Sequence, residues 1–253
     1  MSGGHAHGLY LHRDSRVHRL APQCKILAGF CFILAIVSTP REAFWAYGVY
    51  ACMVLGVAGL SMVPPSHVGK RLVFEAPFLL FALSLPLVGR GPDIDVLGLG
   101  LSAEGLWAFW NICVKATLGF SISIILAATT PIAELLHGLE HLRMPPIITA
   151  ITGFMVRYAD VITGEMRRMK IARESRAFDP RWFWEGRALA AAAGTLFIRS
   201  YERGERVYLA MVSRGYEGSL PVGIEHSASA AQWAAALTLP AVGGAIAVLA
   251  RLI

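Results

Sequence analysis

The sequence predicts an all-α integral membrane protein with about five transmembrane helices and additional long cytoplasmic helices. The chain has 253 residues, of which 55% are hydrophobic and only 16% are charged, whereas soluble domains carry about 25% charged residues. Its mean hydropathy is +0.54. Apolar stretches of roughly 20 residues, the length that crosses a bilayer core, recur along the chain. These three observations together indicate a multi-pass membrane protein.

Five apolar stretches are predicted to cross the membrane, the first of them ending at Pro40. They are residues 23–39, 42–63, 72–88, 106–128 and 230–250. The chain therefore divides into four predicted parts. These are an N-terminal cytoplasmic segment (1–22), four transmembrane helices (23–130), a cytoplasmic helical region (131–225) and a part with the final transmembrane helix (226–253).

The distribution of Lys and Arg sets the predicted orientation, because basic residues near short loops favour the cytoplasmic side. Four basic residues at the start of the chain predict a cytoplasmic N-terminus: Arg13, Arg16, Arg19 and Lys25. The loop 89–105 carries three acids and one Arg, so it is predicted to lie outside. The final span then predicts a periplasmic C-terminus.

A sixth apolar stretch, residues 147–163, is predicted to stay on the cytoplasmic side. It contains Arg157 and Asp160, which would be costly in hydrocarbon. Twelve of the 23 Lys and Arg residues lie between Arg157 and Arg214, so a crossing here would export the basic block. If this stretch stays in the cytoplasm, every basic segment lies on the cytoplasmic side of the membrane.

The cytoplasmic region is predicted to form one short helix and two long ones. Thr130 is predicted as the N-cap of the short helix, which would end before Pro145. The long helices are predicted over 146–178 and 184–214. Pro180 would stop the first, and Gly215 is predicted as the C′ residue of the second.

An eight-residue phrase occurs at the end of each long helix: "ARESRAFD" at 172–179 and "AMVSRGYE" at 210–217. Six of its eight positions match in type, and Arg176 and Arg214 are predicted to fall in the last helical turn, where a cation complements the helix dipole. A guanidinium offers a planar fork of donors suited to carboxylates. Two equivalent guanidinium groups indicate docking to two equivalent acidic sites on a partner. The alternatives are a pair of ordinary surface cations, or a basic segment lying on anionic lipid.

Other chemical signals are weaker. The stretch "HGLEH", residues 137–141, formally matches a zinc-protease pattern, but a solvated helix face explains it equally well. A metal-dependent membrane enzyme built on it is an alternative that a zinc measurement would distinguish.

The four cysteines are interpreted as buried apolar residues. No phosphate-binding loop is present, so ATP hydrolysis by this chain is not expected. The role of Lys115, within the fourth span, is left open.

The stretch "TTPIAELLHGLEHLRMPPIITAITGFMVRYADVITGEMRRMKIARESRAFDP" resembles the central signature of the transmembrane T components of energy-coupling factor importers. In that family, two Ala-Arg-Gly-like motifs end long coupling helices. Here they correspond to Ser175-Arg176-Ala177 and Ser213-Arg214-Gly215, with one small residue replacing another at each departure. The resemblance is strongest to the CbiQ type, which serves cobalt uptake.

The resemblance implies a non-catalytic subunit of an ABC-type importer in the bacterial cytoplasmic (inner) membrane. Its implied partners are two ATPase subunits and a CbiM-like substrate-binding membrane protein, with no nucleic acid, no cofactor and no resident metal. The six residues of the two motifs would couple to the ATPases, and no residue would be catalytic. The same role in nickel or vitamin uptake, or a conventional permease forming its own substrate path, is the alternative.

Overall fold

The computed structural model describes residues 10–11, 13–88, 93–96, 99–176, 186–218 and 228–252. The chain forms two compact units. The larger one comprises residues Gly8–Leu142 and His226–Ile253, and the smaller one lies within Arg143–Glu225. The boundary between them follows Leu142.

The described part is helical, which confirms the predicted fold class, with one exception. The elements in chain order are α1 Pro22–Ser38, α2 Phe44–Leu60, α3 Pro65–Leu72, α4 Ala76–Ala82, α5 Leu85–Val88, β1 Asp93–Val96, β2 Leu99–Ser102, α6 Ala103–Thr129, α7 Ile132–His141, α8 Pro146–Glu174, α9 Gly186–Val212 and α10 Ala230–Leu252. The exception is the antiparallel pair β1 and β2, in which Ile94 lies opposite Leu101. It occupies the predicted external loop.

Among the described residues, α6, α8 and α10 are long and apolar enough to cross a membrane, by length and composition. Helices α1 and α2 are also apolar and have 17 residues each, the lower limit of the roughly 17–25 residues that span a bilayer. Four of the five predicted spans therefore correspond to single apolar helices. The chain is an integral membrane helical protein.

The prediction of one continuous span over 72–88 is wrong. A 3₁₀ turn covers Val73–Glu75, and α4 and α5 follow it as separate short helices. Pro77 lies in the first turn of α4, and Pro86 lies within α5. Proline has no backbone N–H and is tolerated mainly in the first turn of a helix, so two prolines nine residues apart favour short segments over one long helix.

The core of the larger unit lies where α1, α2, α6 and α10 pack together. Phe32, Ile36 and Tyr50 are fully buried there. The Tyr50 hydroxyl donates to the carbonyl oxygen of Gly243 on α10 at 2.9 Å. A Cβ at Gly243 would lie 2.9 Å from Cδ2 of Phe32, so this glycine permits the close approach of α10 to α1.

Helix α7 packs against α1 in the larger unit and begins differently from the prediction. Thr130 is extended (φ −140°, ψ 119°) and ends α6, while Pro131 takes the N-cap position of α7. The prediction that Thr130 caps α7 is therefore wrong. Gly138 faces the first turn of α1, because a Cβ there would lie 2.9 Å from the backbone nitrogen of Gln23.

Candidate functional site: two arginine-bearing helix ends

The smaller unit contains the two long helices that end in the repeated phrase. Helix α8 has 29 residues and α9 has 27, which correspond to lengths of about 43 Å and 40 Å. Pro145 is the N-cap of α8 and Pro146 its first residue, a position where the fixed φ of proline suits a helix start. Each long helix therefore carries its arginine motif at its C-terminal end.

Helix α9 closes with a Schellman motif centred on Gly215. Gly215 has a φ of +83°. Its N–H donates to the Val212 carbonyl at 3.0 Å, and the Tyr216 N–H donates to the Met211 carbonyl at 3.1 Å. These are the two hydrogen bonds that define the motif. They confirm Gly215 as the C′ residue and make Arg214 the C-cap.

The backbones at the two arginines have equivalent hydrogen bonds. The Arg176 N–H donates to the Arg173 carbonyl at 3.0 Å, and the Arg214 N–H donates to the Met211 carbonyl at 2.9 Å. Both arginine side chains are exposed. The helices themselves end two residues earlier, so the arginines lie in the turn that follows each helix and not in its last turn, as the sequence predicted. The 3₁₀-type bonds continue the helix for these two residues, which explains the difference.

The two motif serines are also equivalent. The Ser175 hydroxyl donates to the Ala172 carbonyl at 3.0 Å, and the Ser213 hydroxyl donates to the Ala210 carbonyl at 2.9 Å. Each serine therefore satisfies a carbonyl that the ending helix leaves without an intrahelical donor. The repeated sequence produces a repeated local structure. Ala177, the last residue of the first motif, lies outside the described residues.

Neighbouring arginines differ from the two at the helix ends. Arg173, one turn earlier on α8, has buried Nε and Nη1 atoms with no hydrogen-bond partner in the described part of the chain. Arg206 on α9 is exposed but lies in the helical body. Exposure together with a position just beyond a helix C-terminus is thus shared by Arg176 and Arg214. There the partial negative charge of the helix end favours a cation.

An ion pair joins the two long helices within the smaller unit. Nη2 of Arg203 on α9 donates to Oε1 of Glu165 on α8. Beside it, an apolar groove of about 410 Å³ runs between α8 and α9. Its lining includes Phe154, Met155 and Val207. This pair is not evident from the sequence, because the two residues are 38 positions apart and only packing brings them together.

The "HGLEH" stretch lies on α7, away from the arginine motifs in the chain. Nδ1 of His137 lies 4.0 Å from Oε2 of Glu140, a weak contact between side chains on one helix face. No group of three His, Cys, Asp or Glu residues that could hold a metal ion is present among the described residues. The His137 side chain is exposed, whereas that of Glu140 is partly buried.

Lys115 and Glu75 are charged residues within predicted spans, and both make polar contacts. Nζ of Lys115 on α6 donates to the Val37 carbonyl at 2.8 Å, so this cation caps the end of α1. Glu75 is buried, and its Oε1 accepts from the Thr117 hydroxyl at 3.3 Å. Glu75 is not among the residues predicted from the sequence, although an acid within an apolar stretch is itself a signal for a buried polar contact.

Comparison with known proteins gives consistent matches. The family model for cobalt transport proteins, CbiQ, matches residues 13–222. The energy-coupling factor transporter transmembrane protein EcfT of Bacillus selenitireducens is 28% identical over 227 residues, which are 83% of each chain. The cobalt transport protein CbiQ of Rhodobacter capsulatus is 27% identical over 207 residues, 80% of each chain.

An uncharacterised protein of Methanocaldococcus jannaschii is 36% identical over 141 residues, which are 56% of this chain. The match covers 47% of that relative, and 62% of a second relative from the same organism. The chain thus spans about half to three fifths of the length of these two relatives, whereas it spans most of the EcfT and CbiQ relatives.

Proposed function

Because the chain belongs to the CbiQ family of cobalt transport proteins, we propose that it is the membrane-embedded coupling subunit of an energy-coupling factor importer. In this role it transmits motion from two ATPase subunits to a CbiM-like substrate-binding membrane protein. The chain itself is non-catalytic, the ATPase subunits hydrolyse ATP, and the complex resides in the bacterial cytoplasmic membrane. The cargo is a cobalt ion.

The observation that carries this proposal is the equivalence of the two helix ends. At each helix end, the backbone N–H of the arginine donates to the carbonyl three residues earlier. The hydroxyl of the preceding serine likewise donates to the carbonyl three residues before that serine. Two copies of one structure suit two copies of one partner. Two unrelated surface cations would not require matching serines and matching turns.

The chemistry of each motif favours a carboxylate in the partner. Arg176 and Arg214 are exposed, so their guanidinium groups are accessible to another protein. A guanidinium binds a carboxylate through two parallel hydrogen bonds. Ser175, Ala177, Ser213 and Gly215 are small, so each arginine can enter a narrow groove without a bulky neighbour.

The cobalt cargo rests on the family and on the name of the Rhodobacter capsulatus relative. The EcfT relatives carry no metal in their name, so the same coupling role with another cargo is the alternative. Uptake of radioactive cobalt, with nickel and vitamins as competitors, distinguishes the two in cells that express this chain together with its partners.

Co-purification of the ATPase subunits tests the coupling role. Arg176→Ala and Arg214→Ala should each reduce ATPase retention strongly, because truncating one member of a buried charge pair costs about 2–5 kcal/mol. The double variant should lose the ATPases and cobalt uptake together. Arg167→Ala on α8 and Arg206→Ala on α9 are matched controls, because both side chains are exposed and lie within the helices. Equal losses in these controls would show that general basicity, and not the motifs, holds the ATPases.

A further inference from the structure

A second cavity lies in the larger unit, lined by helices α1, α2, α6 and α10 and by residues that precede α1. Its volume is about 490 Å³, within the roughly 300–1,000 Å³ range of small-molecule sites. Most of its lining is apolar, including Met53, Val57, Ile125, Leu126 and Leu239. It is separate from the arginine motifs, which belong to the smaller unit.

The cavity occupies one end of the helix bundle. It is lined by the start of α1 and of α10 and by the ends of α2 and α6. Along α10 its lining runs from Ala235 to Val242, about 10 Å at the rise of an α-helix. Three residues of the segment that precedes α1 also line the cavity at this end, which is its mouth: Arg16, Val17 and Leu20.

The N-terminal segment is held at this mouth by defined hydrogen bonds. The Leu11 N–H donates to the Ala128 carbonyl at 3.0 Å. Nζ of Lys25 donates to the carbonyls of His18 and Thr129 at 3.3 and 3.1 Å. The polar end of the cavity is thus built from a fixed segment, and both Arg16 and Lys25 line it.

Arg16 differs from the other cations of this region. Arg13 donates to the Met62 carbonyl, and Arg19 forms two hydrogen bonds with Asp14 at 2.8 and 2.6 Å. The hydrogen bond from Arg19 lowers the pKa of the Asp14 carboxyl. Arg16 is exposed and has no acceptor within the described part of the chain.

Lys25 is less available than Arg16 to an external anion. Two of its three donors are already bound to backbone carbonyls, and Glu134 on α7 acts on it electrostatically. Among the described residues that line the cavity, Arg16 is therefore the cation without a hydrogen-bond acceptor, and it lies beside apolar side chains.

We infer that this cavity binds one anionic phospholipid, with its phosphate on Arg16 and an acyl chain between α2, α6 and α10. Basic pockets between helices on the cytoplasmic side suit lipid head groups, and the segment with Arg16 is predicted to lie on that side. A guanidinium and a phosphate form short, charge-assisted hydrogen bonds. The inference does not depend on the proposed coupling role.

Native mass spectrometry of the detergent-purified full chain tests this. The probes are phosphatidylglycerol and phosphatidylcholine with identical acyl chains. The wild-type chain should bind one phosphatidylglycerol about tenfold more tightly than phosphatidylcholine, which corresponds to about 1.4 kcal/mol. Both lipids carry a phosphate, but the choline ammonium group cancels the net charge of phosphatidylcholine, whereas phosphatidylglycerol stays anionic. Arg16→Gln should remove this preference, and Arg16→Lys should keep part of it. Circular dichroism must show unchanged helicity in each variant.

Two further variants separate the head-group contact from the chain contact. Arg19→Gln is the matched control, because Arg19 lies on the same segment but is paired with Asp14, and it should keep the preference. Ala235→Phe adds bulk at a cavity-lining, exposed position and should reduce binding of both lipids.

Three outcomes would overturn the inference. One is an unchanged preference in Arg16→Gln, and another is an equal loss in Arg19→Gln. The third is displacement of the lipid by inorganic phosphate at millimolar concentration together with unaltered lipid binding in Ala235→Phe, which would indicate an anion site without an acyl-chain site.

Discussion

Arg203 on α9 and Glu165 on α8 form an ion pair that joins the two long helices. The Glu165 side chain is only 9% exposed and that of Arg203 29%. Oε2 of Glu165 and Nη1 of Arg203 are buried and have no other partner in the described part of the chain. Removing Arg203 leaves the buried carboxylate of Glu165 without its hydrogen-bonded partner, which is costly. The pair therefore fixes how the helices that carry the two motifs pack together.

The first prediction is that Glu165→Ala or Arg203→Ala loosens the packing of α8 against α9. Spin labels at the exposed positions 163 and 205 should give a broader distance distribution in either variant than in the parent chain. The distance distribution of the double variant should be no broader than those of the single variants, because the double variant leaves no unpaired charge.

Lys170→Ala is the control for this experiment. It removes the Lys170–Glu174 pair, which is exposed and lies within α8 alone, and exposed pairs contribute little. An unchanged distance distribution in both single ion-pair variants would show that apolar packing alone fixes the helices.

The second prediction concerns Gly215, whose φ of +83° is unfavourable for other residues. Gly215→Ala should cost about 1–2 kcal/mol for the left-handed conformation and displace Arg214 from its position. ATPase co-purification should fall, though less than in Arg214→Ala. Gly215→Asn should be milder, because Asn tolerates this region better.

Gly194→Ala provides the matched control for Gly215. Gly194 lies within α9, and nothing lies within 4 Å of its Cβ position, so Ala there should preserve or stabilise the helix. If both variants retain the ATPases equally, the geometry of the C-cap does not position Arg214.

The third prediction tests the core of the larger unit. Gly243→Ala should destabilise it by about 1–3 kcal/mol through overpacking, because the new Cβ would lie 2.9 Å from Cδ2 of Phe32. Gly244→Ala, next along the same helix, meets nothing within 4 Å and should not destabilise. Thermal unfolding in detergent compares the two, and equal melting temperatures would contradict the close approach of α10 to α1.

The fourth prediction is that the "HGLEH" stretch has no metal-dependent role. His137 and Glu140 are 4.0 Å apart, and no third ligand lies near enough among the described residues. Replacing His137, Glu140 and His141 together by Ala should leave cobalt uptake within a few-fold of the parent. A complete loss of uptake in a fully assembled complex, or stoichiometric zinc in the purified chain, would contradict this.

Some of the fold could be predicted because it depends on local pattern. Apolar length identified α1, α2, α6 and α10, and the prolines at 145 and 146 marked the start of α8. The break at Val73–Glu75 and the strand pair could not be predicted in the same way. They depend on how Pro77 and Pro86 act together and on pairing between residues across a loop.

Part of the candidate site could likewise be predicted from local sequence, and part of it depends on tertiary packing. The two motifs could be found in the sequence because the phrase repeats, and Gly215 indicated the Schellman turn. The Glu165–Arg203 pair and the cavity beside Arg16 arise from residues that are distant in the chain. Periodicity and composition carry no information about which side chains tertiary packing brings together.

The last prediction is that α8 lies on the cytoplasmic side, although its length and composition would allow it to cross a membrane. Arg157 and Asp160 lie within it and would be costly in hydrocarbon, and the basic residues after them favour the cytoplasm. Lys170→Cys, in a background without the four native cysteines, should resist an impermeant thiol reagent in intact cells and react in inside-out vesicles. Glu104→Cys, at an exposed residue of the predicted external loop, should show the opposite pattern. If Lys170→Cys reacts in intact cells as readily as Glu104→Cys, α8 crosses the membrane and the arginine at its end cannot reach a cytoplasmic ATPase.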